Sequence, residues 1–590
     1  MSKTNWPHGL TLAFTVVFFG ACAAVKPLDD APAPDARPGH AAAWAHGAMV
    51  SAANPYAVDA AIDILERGGS AVDAAIAAHL VLGLVEPQSS GIGGGAFLLV
   101  HDRDADTLTV FDGRETAPAG ASADMFIDAG EPMDFLRAWQ SGIAIGTPGA
   151  VAVYQLAHDA HGVLPWAEVF TPAIELASKG FVVSPRLNNL LTRVRRVSDL
   201  DDHPDSAAYF YPDGEPLAVG AVRDNPAYAR LLRDIAARGR DAFYTGQVAQ
   251  AMVDAAARAP RPGTLSLTDL AGYRAQARPP VCGAFRSFTL CSAPPPSSGL
   301  AQIMIAGLYQ RFVPDDAAID DAQSLRAFVD AQRLAYADRD HFVGDPAFAD
   351  VPTAALIDPR YLDRRAQDRF APTDKASHGD PAAATGQRAA RWHFGADTTD
   401  ERGGTTHLSI VDARGNAVSM TATVEAPFGS SRFVHGFLLN NEMTDFARDP
   451  GKGDAPANLV APGKRSRSSM SPTLVFDESD ELILVNGSPG GNSIVAYVAK
   501  TTLGILARNQ SVDEAIAAPN VIARGDRVRV DITTEEGKEA ARQLTAAGYD
   551  VVERDGENSG LHTILVTPDG MVGGADPRRE GIVRSLPPSP

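Results

Sequence analysis

Strand alternation begins abruptly at Thr405. From there the chain reads Thr-Thr-His-Leu-Ser-Ile-Val-Asp, turns at Ala413-Arg414-Gly415 and returns as Ala-Val-Ser-Met-Thr-Ala-Thr-Val, which is the pattern of an antiparallel hairpin. A three-residue connection places its last residue in the left-handed region, a conformation Gly415 adopts without a steric penalty. Asp412 then faces Asn416, and counting back down the ladder sets Thr405 opposite Thr423. Threonine pairs are ordinary in sheets, so this pairing by itself implies packing rather than chemistry.

Gly404 changes that reading. It stands where a polar stretch rich in Ala, Thr and Gly, residues 380–403, meets the first strand, and that stretch reads as a poorly held loop. A cut between Gly404 and Thr405 exposes a threonine as a new N-terminus. Its hydroxyl is a weak nucleophile, but its own α-amino group, with an ordinary pKa of about 7.7–8, is a base at neutral pH. One residue then supplies both groups.

Upstream, apolar residues recur at helical spacing from Ala57 to Arg67 until Gly68-Gly69 stops them; Ser70 then caps a second helix from Ala71 to about Leu84, ended by Glu86-Pro87. Next come Gly91-Ile-Gly-Gly-Gly95 and two strands, Ala96–Val100 and Thr107–Asp112. The glycine run has the letters of a dinucleotide fingerprint, but that motif follows a strand and opens a helix, and here the order is reversed. Close approach of the backbone to a neighbour or ligand is the better account. Residues 147–380 read as mainly helical, with one helix between Thr147-Pro148 and Gly162 and another over Ser324–Arg339; Pro279–Ser292 interrupts them with strand character.

The balance of 52 basic and 72 acidic residues, a net charge of −20 over 590 residues, argues against a nucleic-acid or other polyanionic partner. With 45% hydrophobic and 21% charged residues the chain has the composition of a globular enzyme. Three cysteines, no Cys-x-x-Cys and no His-Glu-x-x-His leave no structural zinc site in view, and no cofactor is expected. A two-residue turn at Arg286-Ser287 sets Cys282 opposite Cys291. The reading prefers two free buried thiols there to a disulfide.

The N-terminus carries Lys3 and then Leu10–Val25, sixteen residues of low polarity, short of the roughly 18 needed to span a bilayer. Residues 1–25 read as an export signal and 26–40 as a flexible linker. Phe19-Gly20-Ala21-Cys22 resembles a bacterial lipoprotein processing site, which leaves a lipid anchor at Cys22 and simple cleavage near Ala21–Ala24 both open. The expected location is the periplasm or, as a lipoprotein, the membrane surface of a bacterium.

Taken with the threonine pair, a series of segments resembles the γ-glutamyltransferase family of N-terminal nucleophile hydrolases. They are Gly68-Gly-Ser-Ala-Val-Asp-Ala-Ala75, Glu86-Pro-Gln-Ser-Ser-Gly-Ile-Gly-Gly-Gly95, Asp112-Gly-Arg-Glu-Thr-Ala-Pro118, Pro294-Pro-Pro-Ser-Ser-Gly299, Ala335-Tyr-Ala-Asp-Arg339, Thr405-Thr-His407, Leu439-Asn-Asn441, Ser468-Ser-Met-Ser-Pro472, Gly487-Ser-Pro-Gly-Gly491 and Ala575-Asp-Pro-Arg578. The resemblance implies an α+β fold, a four-layer αββα sandwich. It also implies a precursor cut at Gly404–Thr405 into a large subunit, 41–404, and a small subunit, 405–590, which stay together.

Thr405 is then the nucleophile, and Thr423 orients it. Arg114, Ser468 and Ser469 match the residues that hold the donor's α-carboxylate, and Glu425, Glu442 and Asp445 those that meet its α-amino group. Without the resemblance, Arg114 beside Asp112 and Glu115 reads as a surface ion pair and Ser468-Ser469 as a turn. Gly490 and Gly491 lie between the strand Leu482–Asn486 and the helical stretch Asn492–Leu506, where main-chain N–H groups suit an oxyanion. The implied donor is a γ-glutamyl compound such as glutathione, and the acceptor is water or an amino acid or peptide amine.

This chain departs from the family pattern in two places. Some members carry Asn and Gln where Glu425 and Glu442 stand here, which makes this site more acidic. The segment Ala447–Arg467 is shorter than in members with a lid and has no aromatic residue, so an open donor pocket is expected. Rival readings are a glutaryl or cephalosporin acylase of the same fold, a serine hydrolase at Ser488, and a surface-anchored binding protein that kept the fold without catalysis.

Overall fold

In the computed structural model, residues 46–313, 321–368, 370–386 and 392–588 are described. The export signal, Cys22 and the linker lie outside them. The strand signals resolve into two large antiparallel sheets. In chain order their strands are β1 (Ala48–Ala52), β2 (Gly95–Asp102), β3 (Thr107–Asp112), β4 (Gln276–Arg278), β5 (Val281–Phe285), β6 (Phe288–Ser292), β7 (Gly404–Val411), β8 (Ala417–Glu425), β9 (Thr473–Phe476), β10 (Leu482–Asn486), β11 (His562–Thr567), β12 (Gly570–Ala575) and β13 (Ile582–Leu586). The first sheet runs β13-β1-β7-β8-β2-β3-β4 and the second β12-β11-β10-β9-β6-β5.

Alternation along each strand explains the layers. On β2, Ala96, Leu98 and Val100 pack outward with the apolar residues of helices α1 (Pro55–Glu66), α2 (Ala71–Val85) and α3 (Ala150–His161). Phe97 and Leu99, on the other face, meet Leu474, Phe476 and Val485 of the second sheet. That sheet in turn buries Val475 and Leu484 against α4 (Gly299–Phe312), α5 (Asp321–Phe342) and α6 (Ile494–Arg508). Strands buried on both faces carry nearly continuous apolar residues, and four layers result. The expected αββα sandwich is the observed one. No helix of the described residues is long and apolar enough to cross a membrane.

Local signals hold closely. Ser70 caps α2 through a full capping box with Asp73. Gly415 has φ +84° and Asp412 N–H bonds Asn416 O at 2.9 Å, so the three-residue turn forms as read. Thr405 pairs with Thr423, and a register shift between Gly404 and Thr405 sets Gly404 against Glu425. An irregularity in the ladder therefore sits at the peptide bond singled out by sequence. The glycine run packs as anticipated: a Cβ on Gly94 would lie 1.9 Å from the carbonyl oxygen of Thr423.

Two expectations are corrected. Cys282 and Cys291 are disulfide-bonded, not free thiols; they face each other across the β5–β6 hairpin with Cα atoms 4.1 Å apart, within reach of a bridge without backbone movement. The 380–403 stretch is not uniformly loose: Pro381–Thr385 is helical, and Asp397, Thr399 and Glu401 are buried. Arg114, which without the resemblance reads as a surface ion pair, is 1% exposed.

Candidate active site

The strand pair β7–β8 brings its two threonines together at the end nearest the second sheet's Gly490-Gly491 loop. Thr405 Oγ1 lies 3.3 Å from Thr423 Oγ1. Thr423 donates its hydroxyl to the carbonyl oxygen of Gly404 at 2.8 Å and accepts the Glu425 N–H at 2.9 Å. The carbonyl of the candidate cleavage bond is thus polarised by the residue that also touches the candidate nucleophile. On the far side, Arg579 Nη1 donates to Thr405 O at 3.0 Å, fixing the strand end from the chain's C-terminal region.

The residues before Thr405 lie across the glycine loop. Asn492 N–H donates to Glu401 O at 3.3 Å, and Asn558 Nδ2 to Gly403 O at 3.4 Å. Gly490 and Gly491 have φ of +138° and +57°, and a Cβ on Gly491 would lie 2.3 Å from Glu401 O. The short helical turn Gly491–Ser493 and α6 follow, so a helix begins behind the loop as expected. Arg402 N–H reaches Glu425 Oε1 at 3.1 Å.

The model of the gamma-glutamyltranspeptidase family matches residues 57–586. The chain belongs to the gamma-glutamyltranspeptidase family. It is 35% identical to the glutathione hydrolase proenzyme of Escherichia coli (strain K12) over 549 residues, 90% of each chain. It is 34% identical to the acylase ACY 1 proenzyme of Pseudomonas sp. (strain SE83) over 538 residues, 89% of this chain and 91% of that one. The crystal structure of a cephalosporin acylase from Bacillus halodurans aligns with a TM-score of 0.80 at 25% identity, covering 95% of this chain and 99% of that one.

Within this gamma-glutamyltranspeptidase frame two of the acidic positions, Glu442 and Asp445, converge on one cation. Arg114, just past β3, places Nη1 on Glu442 and Nη2 on Asp445 at 2.7 Å; Nε and Nη2 also donate to the carbonyls of Ser466 at 3.2 Å and Arg467 at 2.6 Å. Glu115 stands 3.9 Å away. Burial favours a neutral Arg114, but Glu442, Asp445 and Glu115 outweigh it and hold the guanidinium charged. Three buried carboxylates, Glu115, Glu442 and Asp445, share this one arginine, with Glu425 beside them, and burial shifts all four upward. Burial pushes Glu115 up to about 7 despite Arg114. Burial and Glu401 push Asp445 up to about 6. Burial and Asp445 raise Glu425 well above the carboxylate range; burial does the same to Glu442, helped by Glu115, Asp445 and Glu425 against Arg114.

Ser468 and Ser469 lie beside the same cavity, which is lined further by Arg114, Thr405, Thr423, Glu425, Asp445 and Gly491. Ser468 Oγ accepts the Met470 N–H at 3.2 Å, and Ser469 Oγ accepts from Arg339 Nη2 at 2.7 Å. The cavity holds only about 10 Å³. Glu401 and Arg402, from the segment ahead of Thr405, form part of its wall.

Sequence reading assigned no role to Arg339, Glu401, Asn441 or Arg579. Asn441 caps the acidic cluster, donating Nδ2 to Glu425 and accepting the Ala426 N–H at 3.0 Å. The motifs Ala335–Arg339, Leu439–Asn441 and Ala575–Arg578 were the available signals for Arg339, Asn441 and Arg579, since each contains or adjoins one of these residues.

Proposed function

We propose that the chain is a self-processing γ-glutamyltransferase and hydrolase whose nucleophile is Thr405. The observation that carries this is the hydrogen bond from Thr423 to the Gly404 carbonyl, with the Thr405 hydroxyl beside it. Attack of Thr405 Oγ1 on that carbonyl carbon, with the proton passing to the departing nitrogen, moves the acyl group from nitrogen to oxygen. Water then hydrolyses the ester, leaving a Gly404 carboxylate and a free Thr405 amine. The large and small subunits remain joined because their strands share both sheets.

In turnover the freed amine takes the hydroxyl proton while the oxygen attacks the donor's γ-carbonyl. Main-chain donors at Gly490 and Gly491 take the developing oxyanion, an interaction typically worth about 10²–10³ in rate for one donor. The leaving amine departs with the proton, and water or an acceptor amine resolves the γ-glutamyl ester by the reverse steps. Glu425, Glu442 and Asp445 suit the donor's ammonium, and Ser468 and Ser469 its carboxylate. The donor is a γ-glutamyl amide of the glutathione type, and the export signal puts the reaction outside the cytoplasm.

The acidic lining weighs against the acylase reading, because a glutaryl donor lacks the ammonium and leaves buried carboxylates facing methylene groups. Two measurements decide. Denaturing gels with N-terminal sequencing should find a smaller fragment beginning at Thr405, and Thr405→Ala should stay whole and inactive. Side-by-side assays of γ-glutamyl and glutaryl p-nitroanilides should favour the first. An active single chain, or normal maturation of Thr405→Ala, overturns the assignment.

A further inference from the structure

The connection from β12 to β13 crosses from the second sheet to the first, and Arg579 stands in it. Its side chain is buried and donates only to oxygens of uncharged groups. Nη1 reaches Thr405 O at 3.0 Å, Nε reaches Ser559 O at 3.1 Å, and Nη2 reaches Asn558 O at 2.9 Å and Asn558 Oδ1 at 3.4 Å. Gly560 lets the fork through, because a Cβ there would lie 2.6 Å from Arg579 Cδ and Nε. Carboxylates near this arginine are engaged elsewhere. Glu86 stands 3.6 Å from Arg186 Nε, and Asp576 accepts the Ser559 hydroxyl at 2.6 Å and the Arg578 N–H at 3.0 Å. Burial and Arg186 lower Arg579 to about 9, so at neutral pH it is a cation whose acceptors are all dipoles.

The segment that receives Arg579 also holds the glycine loop. Gly560 N–H donates to Ser488 Oγ at 3.3 Å, and His562 N–H to Gly487 O at 3.2 Å. Arg579 therefore ties the main chain of Thr405, on the first sheet, to the loop that carries Gly490 and Gly491. Once the chain is cut, Thr405 has lost its covalent neighbour on one side. The β7–β8 ladder and the Arg579 hydrogen bond to its carbonyl then set where its hydroxyl and amine stand. The cation also lies within one residue of that amine, and a like charge at such range disfavours the ammonium form.

We propose that Arg579 is a positioning residue for Thr405 in the processed protein: it fixes the nucleophile's main chain against the glycine loop and keeps the α-amine in its proton-accepting form. The inference rests on the Thr405 reading above and deepens it. An α-amine at its ordinary pKa of about 7.7–8 is mostly protonated at pH 7, so a neighbouring cation raises the fraction able to take the hydroxyl proton. Arg579 does not line the donor cavity, and its action on the reaction runs through Thr405 alone.

The test is the pH profile of kcat/KM for γ-glutamyl-p-nitroanilide, whose acidic limb reports the base of the free enzyme. Removing the cation raises the amine's pKa. In Arg579→Gln the limb should therefore move up by about 1 pH unit, a loss of about tenfold at pH 6 that shrinks by about pH 9. KM should stay within about threefold, since uniform donor binding is untouched. The charged groups that line the cavity beside Thr405, namely Arg114, Glu401, Arg402, Glu425 and Asp445, are the same in this variant. Asn558→Ala loosens the same segment without removing a charge, and should slow turnover with the limb in place. A loss in Arg579→Gln that is equal at every pH, or an equal limb shift in Asn558→Ala, would overturn the proposal. So would failure of both Arg579→Gln and Arg579→Met to cut themselves while Asn558→Ala matures, which would assign the arginine to folding. A wild-type chain that is active without being cut would sink the Thr405 reading instead, and this one with it.

Discussion

Thr423 donates its hydroxyl to the carbonyl oxygen of Gly404 across 2.8 Å. That donor is already placed before any charge develops on the oxygen, which is the arrangement that lowers a barrier without reorganisation. Thr423→Val should slow conversion of the full-length chain by about 10²–10³, followed as the loss of the full-length band over time. Conversion at the parent rate would show that the contact is structural only.

Gly491 makes a second prediction. Its φ of +57°, and the 2.3 Å that would separate an added Cβ from Glu401 O, mean that alanine cannot seat the segment before the cut. Gly491→Ala should slow cleavage by about tenfold or more, beyond the 1–2 kcal/mol ordinarily charged for left-handed backbone. Gly68→Ala is the control, since Gly68 has φ +85° with nothing within 4 Å. It carries the strain without the clash and should mature normally.

Legibility differed between these residues for physical reasons. The Thr405–Thr423 pairing was reachable because a hairpin's register follows from its turn, and Gly415 fixes the turn. Ser70 and Asp73 were visible because caps are local. The partnership of Arg339 and Glu401 joins residues 62 apart through the fold, and no local periodicity encodes it. For the disulfide the close approach of directly opposed strand positions is legible in the sequence, and the reading erred by giving more weight to the tendency of cysteines to be buried as thiols. The 392–403 stretch looked loose because its composition is polar, whereas buried ion pairs from Arg339 and Arg467 hold Glu401 and Asp397 in place.

Glu115 predicts a pH signature. Its carboxyl is pushed up to about 7 from an ordinary 4.5, so between those values the folded chain binds more protons than the unfolded one. Stability from this group is therefore lost as pH rises from about 4.5 to about 7, by at most about 1.4 kcal/mol per unit, and is constant above that. Glu115→Gln removes the effect. Urea unfolding of the uncut Thr405→Ala protein, with and without Glu115→Gln, should show the variant gaining on its parent through this window; parallel pH profiles would contradict the assignment.

The Cys282–Cys291 bridge closes a short loop, nine residues apart in sequence. Chain-entropy arguments assign a loop of this length about 2–3 kcal/mol. Paired Cys282→Ser and Cys291→Ser substitutions, or dithiothreitol, should lower the urea midpoint accordingly, and an unchanged midpoint in reductant would mean the bond adds nothing.

The strand order β13-β1-β7-β8-β2 weaves segments from both sides of Gly404 into one ladder. Before the cut, those strands find each other as parts of one molecule. With the proposed cut made, a melted protein would be two separate polymers, and regaining the ladder would become a second-order encounter between fragments that each expose unpaired edges. Heat inactivation of the cut form should accordingly be a one-way event at low concentration, while an uncut chain such as Thr405→Ala should keep the route back.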